Sequence, residues 1–245
     1  MIQGLYKLFD HWHAEGSLYI CSDPHFDDRD LENGIKGRPS SDEIVRRINS
    51  KCGKTDTLII LGDIGNIEYV KKLRAKRKIL IKGNHDAGKS NYERIIQKSV
   101  FSKDEYGKEE ALIAVKELFP NYRYVISEGH MFHPLGEHWI VEADNMLFDE
   151  VYEGPLMLAE KLILSHEPLN IDWAFNMHGH VHQKGKEDAN HLNCCLDVNN
   201  YEPINMNQFM KKSGALSKIN TVHRSTIDKA TKRKAKRGGK KIGGK

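Results

Sequence analysis

The first 90 residues alternate short, continuous apolar runs with amphipathic stretches. Three apolar runs, at 17–23, 57–63 and 78–84, have the length and unbroken hydrophobicity of buried strands. Two helical stretches separate them, one begun by the capping-box pair Ser40 and Glu43 and one with Asn66 as its N-cap. This order of strand, helix, strand, helix, strand predicts a parallel α/β sheet.

The pattern outside this region is less regular. Residues 2–12 carry apolar residues at helical spacing, and residues 91–120 also predict helix, with an interruption near Gly107. Strand candidates follow within 122–160, although the alternation there is weak. Later strands and a final short helix are predicted at 161–168, 174–182, 192–198 and 206–212.

Length and charge divide the chain into a domain and a tail. A chain of 245 residues with 39% hydrophobic residues fits one globular domain, which we place at 1–214. The remaining 215–245 shows no periodicity, and we expect it to be a basic, disordered tail. Residues 229–245 hold nine Lys or Arg and no acid, so residues 1–228, with 29 basic and 34 acidic residues, carry a net charge of −5.

Two further compositional features bear on location. No apolar run reaches a membrane-spanning length, and the N-terminus carries acids and histidines where a signal peptide needs apolar residues. Four cysteines show no C-x-x-C spacing, which favours buried reduced thiols. We therefore expect a cytoplasmic protein with no membrane partner; the sequence indicates no oligomeric state.

Polar side chains follow each predicted buried strand. In an α/β sheet, ligands bind at the carboxyl ends of the strands. The candidates at those ends are Asp23, His25, Asp63, Asn84, His85, Asp86, His166, His180 and His182.

These side chains offer a mixture of carboxylate and amide oxygens and imidazole nitrogens. Such donors suit Mn²⁺, Fe, Zn²⁺, Ni²⁺ or Co²⁺, and we expect Mn²⁺. The donors are too many for one ion and are enough for two if one carboxylate bridges. Two ions about 3.5–4 Å apart are suited to stabilising both the attacking and the leaving oxygens at phosphorus.

The ordered set of motifs D-x-H, G-D, G-N-H-D, H and G-H-x-H resembles the calcineurin-like metallophosphoesterase superfamily, over about residues 17–200. The chain is most similar to small, single-domain bacterial and phage-type members. The resemblance implies a four-layer α/β sandwich of two facing mixed sheets flanked by helices, with a dimetal site at the strand carboxyl ends.

The resemblance also implies a role for each motif residue. Three side chains would bind the first metal, Asp63 would bridge, and three would complete the second site. His85 would face the leaving group rather than a metal, and Asp86 would orient His85 or serve as a simple turn carboxylate. The two ligand sets are Asp23, His25 and His182, and Asn84, His166 and His180.

These roles predict a dinuclear metal-dependent phosphoric ester hydrolase. A hydroxide shared by the two metals would attack phosphorus, and His85 would protonate the departing oxygen. We expect a phosphodiesterase acting on a nucleotide or a small phosphoester. Two alternatives stay open: a nuclease whose substrate is recruited by residues 229–245, and a non-catalytic nucleic-acid-binding protein that retains the fold.

Four further residues have open roles. Arg38, in a GRP motif, is either a phosphate clamp or an ordinary surface arginine. Three histidines, His130, His133 and His138, could form a third metal site, but their irregular spacing favours a substrate-facing loop or plain surface.

Overall fold

The computed structural model describes residues 5–13, 15–89, 91–131, 136–183 and 188–218. Twelve strands are β1 Leu18–Cys21, β2 Thr57–Ile60, β3 Arg77–Ile81, β4 Ile96–Ser102, β5 Arg123–Met131, β6 Gly136–Asp144, β7 Glu150–Tyr152, β8 Leu156–Ala159, β9 Leu162–Leu164, β10 Phe175–His178, β11 His191–Asn193 and β12 Ile204–Asn205. The α-helices are α1 Arg29–Gly34, α2 Ser41–Lys51, α3 Lys108–Leu118, α4 Met206–Ser213 and α5 Ala215–Lys218. Short 3₁₀ helices cover Lys7–His13, Ile67–Lys72, Asn84–Asp86 and Leu196–Val198.

The first sheet contains the three strands predicted from the early apolar runs. Its order is β12-β1-β2-β3-β7, with β12 antiparallel to β1 and the other neighbours parallel. All four residues of β2 are buried, as a strand covered on both faces requires. The prediction of parallel pairing through β1, β2 and β3 is confirmed.

A second mixed sheet, β11-β10-β9-β8, packs against the first. Ile20 and Ile79 of the first sheet share one buried cluster with Leu164 and Met177 of the second. The opposite face of the first sheet forms a separate cluster with α2. The fold is therefore mixed α/β, and the shared core holds the strand ends of both sheets in fixed relation.

A third sheet, β4-β6-β5, was not predicted. The predicted helix over residues 91–106 is wrong, because Ile96–Ser102 pairs antiparallel with β6 from Ile96↔Asp144 to Ser102↔His138. The β-branched residues of this segment fit a pleated sheet, and the cross-strand partner overrides the local helical spacing. The helical prediction beyond Gly107 is confirmed by α3, which packs on this sheet through Ala111 and Val115.

Helix ends follow their capping residues. Ser40 Oγ accepts from the backbone N–H of Glu43 at 3.4 Å, and Asn205 Oδ1 accepts from that of Gln208 at 3.0 Å. The predicted N-terminal helix is a 3₁₀ helix, Lys7–His13, and the predicted helix after Asn66 is the 3₁₀ helix Ile67–Lys72.

The C-terminal end of the described chain packs on the shared core. Ala215 of α5 is buried in the cluster common to the first two sheets. The predicted tail 215–245 thus begins in packed structure, and its basic run 229–245 lies outside the described residues. No helix among the described residues is long and apolar enough to cross a bilayer.

Candidate metal centre

The turns that follow β1, β2, β3, β9 and β10 meet at one place. Within it, two groups of side chains have ligand atoms close enough to share an ion, Asp23–His25–Asp63 and Asp63–His166–His180. Asn84 and His182 lie directly beside them. The structure therefore brings together all seven predicted ligands.

The first group surrounds a set of unpaired polar atoms. His25 Nε2 lies 4.0 Å from Asp23 Oδ1 and 3.4 Å from Asp63 Oδ2, and His182 Nε2 lies 3.7 Å from Asp23 Oδ1. Asp23 Oδ1 and His25 Nε2 are buried and have no hydrogen-bond partner. Buried polar atoms are rarely left unpaired, so this group fits a bound cation.

In the second group, more hydrogen-bond acceptors surround His166 than its imidazole has hydrogens to donate. Its Nδ1 lies 2.6 Å from the carbonyl of Leu61 and must donate to it, because a carbonyl only accepts. Its Nε2 then points at Asn84 Oδ1, 2.8 Å away, and at Asp63 Oδ2, 3.4 Å away, with His180 Nδ1 at 3.2 Å. An imidazole lone pair that faces two oxygens fits a cation or a proton between them.

The pKa of His166 shows the same preference for positive charge. Burial lowers it, but the hydrogen bonds to Asp63 and to Leu61 outweigh burial and raise the pKa to about 9. For Asp63 the effects are reversed: burial raises the pKa of its carboxyl, but the nearby imidazoles of His166 and His25, each 3.4 Å away, bring that pKa far below the ordinary range. The centre is thus set up to hold positive charge around an ionised carboxylate.

Asp63 joins the two groups. A single oxygen, Oδ2, lies 3.4 Å from His25 Nε2 and 3.4 Å from His166 Nε2. The other oxygen, Oδ1, accepts from the backbone N–H of His85 at 2.9 Å, which fixes the carboxylate in this orientation. A carboxylate in this position, between two donor groups, can contact an ion in each of them.

The backbone of the centre is held in uncommon conformations. Asp23, His25, Asp63 and His180 have positive φ values of 58°, 39°, 56° and 65°. Positive φ values are uncommon for residues other than glycine. Residues with such values cluster at functional sites, where the surrounding structure enforces the conformation. A side chain at Gly83 would overlap Asp63 Oδ1, which explains the glycine of the G-N-H-D motif.

His85 occupies a different position from the ligand side chains. It is exposed, and its ring lies edge-on to that of His25 with centroids 5.2 Å apart. Among the described residues, no group able to hold an ion includes it. Its imidazole therefore borders the centre from the solvent side.

The hydrogen bonds of Asp86 favour the second of its two predicted roles, that of a turn carboxylate. Its carboxylate accepts from the backbone N–H groups of Asp63, Ile64 and Gly83, and from the hydroxyl of Tyr92, at 2.7–3.2 Å. None of these four described donors belongs to His85. Asp86 is fully buried and fastens the turn after β2 to the turn after β3.

Arg38 also differs from its prediction. Its side chain has no exposed surface; it forms an ion pair with Asp197 and donates from Nη2 to the carbonyl of Pro24 at 2.7 Å. A buried guanidinium with these partners is neither a surface arginine nor open to a substrate phosphate. The predicted phosphate clamp is therefore wrong for this conformation.

Sequence reasoning missed Asp197 and Cys195. Asp197 Oδ2 lies 2.6 Å from His182 Nδ1, and Cys195 Sγ lies 3.7 Å from the same nitrogen. Cys195 also forms, with Asp23 and His182, a third group able to hold an ion. The available signal was the position of both residues after β11, another strand of the second sheet.

The three histidines of the predicted third site do not join such a group. His138 is buried in β6, with Nδ1 3.1 Å from the carbonyl of Gly136, and His130 lies on β5. Neither belongs to an ion-holding group of the described chain. His133 lies outside the described residues.

Comparison with known proteins identifies the family. Residues 16–199 match the family model of calcineurin-like phosphoesterases, and the chain belongs to that family. Its members are in general metal-dependent phosphoesterases, in agreement with the donor groups described above. A search of curated proteins gave no match. The crystal structure of a protein of unknown function from Aquifex aeolicus is similar, with 20% identity, a TM-score of 0.46, and coverage of 80% of this chain and 98% of that one.

Proposed function

We propose that the chain is a phosphodiesterase that hydrolyses a nucleotide or a small phosphoester with two divalent cations. Asp23, His25 and His182 would bind the first ion, Asp63 would bridge, and Asn84, His166 and His180 would bind the second ion. The observation that supports this most strongly is the position of Asp63 Oδ2, 3.4 Å from an imidazole nitrogen of each group.

The donor set favours Mn²⁺, with Zn²⁺, Fe, Ni²⁺ or Co²⁺ as substitutes, because it mixes hard oxygens with imidazole nitrogens. When bound, two such cations supply an activated water and positive charge at the phosphoryl group. The unpaired buried atoms of Asp23 and His25 then gain a partner. The proposal includes the four-layer sandwich and a cytoplasmic location.

The chain's own residues provide the remaining chemistry. His85, exposed at the edge of the centre, donates a proton to the departing oxygen. Asp63 stays ionised, as its lowered pKa indicates, and keeps both donor groups in register. Asp86 holds the Asp63 turn through two backbone hydrogen bonds, from Asp63 and Ile64. Arg38 takes no part in binding the substrate in this proposal.

The basic run at 229–245 favours a second candidate, a nuclease acting on recruited DNA or RNA. Lys and Arg runs bind phosphate backbones regardless of sequence, and nine basic residues lie in this run. The reaction at the dimetal centre would be the same, and the two candidates differ only in substrate.

A phosphoester panel tests the proposal. The protein is stripped with chelator, reloaded with Mn²⁺, Ni²⁺, Zn²⁺ or Mg²⁺ in turn, and assayed on monoesters, cyclic nucleotides, dinucleotides and single-stranded nucleic acid. We expect no turnover after stripping and recovery with Mn²⁺ on a nucleotide diester. Preference for the nucleic acid would favour the nuclease. Turnover of no substrate with any metal, or turnover that survives chelation, would contradict the proposal.

A further inference from the structure

A carboxylate–histidine pair lies behind the first group of the metal centre. Asp197 Oδ2 is 2.6 Å from His182 Nδ1, and the Asp197 side chain is 1% exposed. Because an ionised carboxylate only accepts hydrogen bonds, Nδ1 carries the hydrogen. In the neutral imidazole the lone pair of His182 is then on Nε2, the nitrogen that lies 3.7 Å from Asp23 Oδ1.

Arg38 holds Asp197 from the other side. The guanidinium pairs with Asp197 Oδ1, and its Nη2 donates to the carbonyl of Pro24 at 2.7 Å and lies 3.5 Å from that of Asp23. Arg38 thereby connects the residue that holds His182 to the turn that carries Asp23. Both charged side chains are almost completely buried, at 0% and 1% exposure.

Burial of this pair points to a role in positioning. A buried ion pair is weak evidence for stability, since its desolvation offsets most of its attraction. A histidine that binds a metal commonly donates its other ring N–H to a carboxylate, which fixes the tautomer and the orientation of the ring. His182 has this arrangement: its Nδ1–H donates to Asp197, which Arg38 holds, and its Nε2 is the nitrogen near Asp23.

We propose that Asp197 is a positioning residue that locks His182 in the Nδ1–H tautomer, so that Nε2 faces the first metal, and that Arg38 aligns Asp197 for this task. The expected effect of Asp197 on ion binding rests on the proposed function, which places a metal ion next to His182. The tautomer of His182 does not depend on any ion and can be measured in the metal-free protein.

Asp197→Asn gives a sharp test because Arg38 determines the orientation of the asparagine side-chain amide. The amide oxygen turns to Arg38, which has only donors, so the amide NH₂ faces His182 Nδ1. The histidine then carries its hydrogen on Nε2, the nitrogen meant for the metal. Replacing the carboxylate of a carboxylate–histidine pair by an amide imposes the wrong tautomer in serine proteases, while the geometry stays intact.

The measurement is the imidazole ¹⁵N spectrum of the metal-free protein at alkaline pH, where the imidazole is neutral. His182→Gln identifies the signal of His182. We expect the Nδ1–H tautomer in the wild type and the Nε2–H tautomer in Asp197→Asn. Calorimetric titration with Mn²⁺ should show the first ion bound about 10–100-fold more weakly in the variant, with the second ion retained. A general loss of folding would instead weaken both ions together.

Asp188→Asn is the matched control. Asp188 forms a carboxylate–histidine pair at the surface, 2.7 Å from Nδ1 of His191. His191 belongs to none of the ion-holding groups of the described chain. This variant should keep the tautomer of His182 and both ion affinities. The comparison separates loss of a carboxylate–histidine pair in general from loss of this one.

Four outcomes are informative. Identical tautomers of His182 in the wild type and in Asp197→Asn, or the Nε2–H tautomer in the wild type, would overturn the proposal; the wild-type spectrum decides even if the variant does not fold. Equal Mn²⁺ affinity in the wild type and the variant would also overturn it. A wild type that binds no ion yet shows the expected switch of tautomer would contradict the proposed function and leave the positioning role of Asp197 standing.

Discussion

Asn84 and His85 are neighbours in the chain, yet their side chains face different partners. Asn84 Oδ1 lies 2.8 Å from His166 Nε2 and 3.1 Å from His180 Nδ1, inside the second donor group. The His85 ring instead stands against His25 at the solvent edge of the centre. The proposed function therefore assigns the two adjacent residues separate tasks, ion binding to Asn84 and proton transfer to His85.

His85→Ala should affect substrates according to their leaving group. A general acid contributes about 10²–10⁴-fold, and an alkoxide or a ribose oxygen needs the proton far more than a nitrophenolate does. We expect a small loss of kcat on nitrophenyl esters and a large loss on alkyl or nucleotide esters, with metal content unchanged. Equal losses on both kinds of ester would remove the general-acid role, and loss of an ion would make His85 a ligand.

Lys78 is a buried cation outside the metal centre. Its ammonium donates to the carbonyls of Val70 and Met146, and the residue as a whole is 5% exposed. Burial lowers the pKa of Lys78 from 10.5 to about 8, although Asp149 nearby opposes the change and Arg94 adds to it. The folded protein therefore binds the Lys78 proton more weakly than the unfolded chain.

This pKa predicts a pH-dependent stability difference between the wild type and Lys78→Met. Below pH 8 Lys78 is charged in both states, and its burial lowers the free energy of unfolding by a constant amount. Between pH 8 and 10.5 the unfolded state binds more protons than the folded state. The free energy of unfolding of the wild type therefore rises with pH over this range. The gain relative to Lys78→Met should be about 3 kcal/mol over this range. Urea unfolding in chelator from pH 7 to 10.5 measures it, and parallel curves for the two proteins would refute the lowered pKa.

At the scale of elements, the centre depends on turns that are fastened to each other. Asp86, in the turn after β3, accepts backbone hydrogen bonds from Asp63 and Ile64 in the turn after β2. Tyr92 donates its hydroxyl to the same carboxylate at 3.0 Å. These bonds fix the relative position of Asp63 and Asn84, which lie on the two turns.

Asp86→Asn should therefore weaken the fold and the centre together. Hydrogen bonds to a charged group contribute about 1.5–3 kcal/mol each. Asp86→Asn perturbs all four of the described bonds to the carboxylate, whereas Tyr92→Phe removes only one of them. We expect the larger loss in the free energy of unfolding for Asp86→Asn, and a similar fall in kcat on nitrophenyl and alkyl esters. A fall confined to alkyl esters would show that Asp86 acts through His85, one of the two roles that the sequence left open.

The sequence defined elements best where the pattern is local. Buried strands such as Thr57–Ile60, and caps such as Ser40 and Asn205, follow from continuous apolar runs and short-range hydrogen bonds. Strand Ile96–Ser102 was missed because it exists only through pairing with a segment about 40 residues later, which local spacing does not encode.

Candidate site residues follow the same rule. The predicted ligands each follow a strand and could be read from motifs, whereas Asp197 and the burial of Arg38 depend on a contact between residues 159 positions apart. The arginine was interpreted from its chemistry alone, as a phosphate group's partner. Its actual partner, a buried carboxylate, becomes visible only in three dimensions.

For the molecule as a whole, charge is concentrated at one end of the sequence. Residues 229–245 hold nine basic residues, whereas the preceding chain is acidic overall. If this run recruits nucleic acid, a protein ending at Asp228 should bind single-stranded DNA more weakly and with a shallower dependence of log affinity on log salt. Turnover of a small ester should be equal in both proteins. Equal affinity and equal salt slope would leave the run without a role in recruitment.

The central claim is that one carboxylate, Asp63, joins two metal sites. Its Oδ2 is the atom shared between His25 and His166, so its loss should affect both ions rather than one. The most direct measurement is the number of Mn²⁺ ions bound per chain, by elemental analysis after equilibrium dialysis, together with turnover, in the wild type and in Asp63→Asn. We predict two ions in the wild type, and loss of much of the metal and of activity in the variant. Two bound ions and near-normal turnover in Asp63→Asn would contradict the claim.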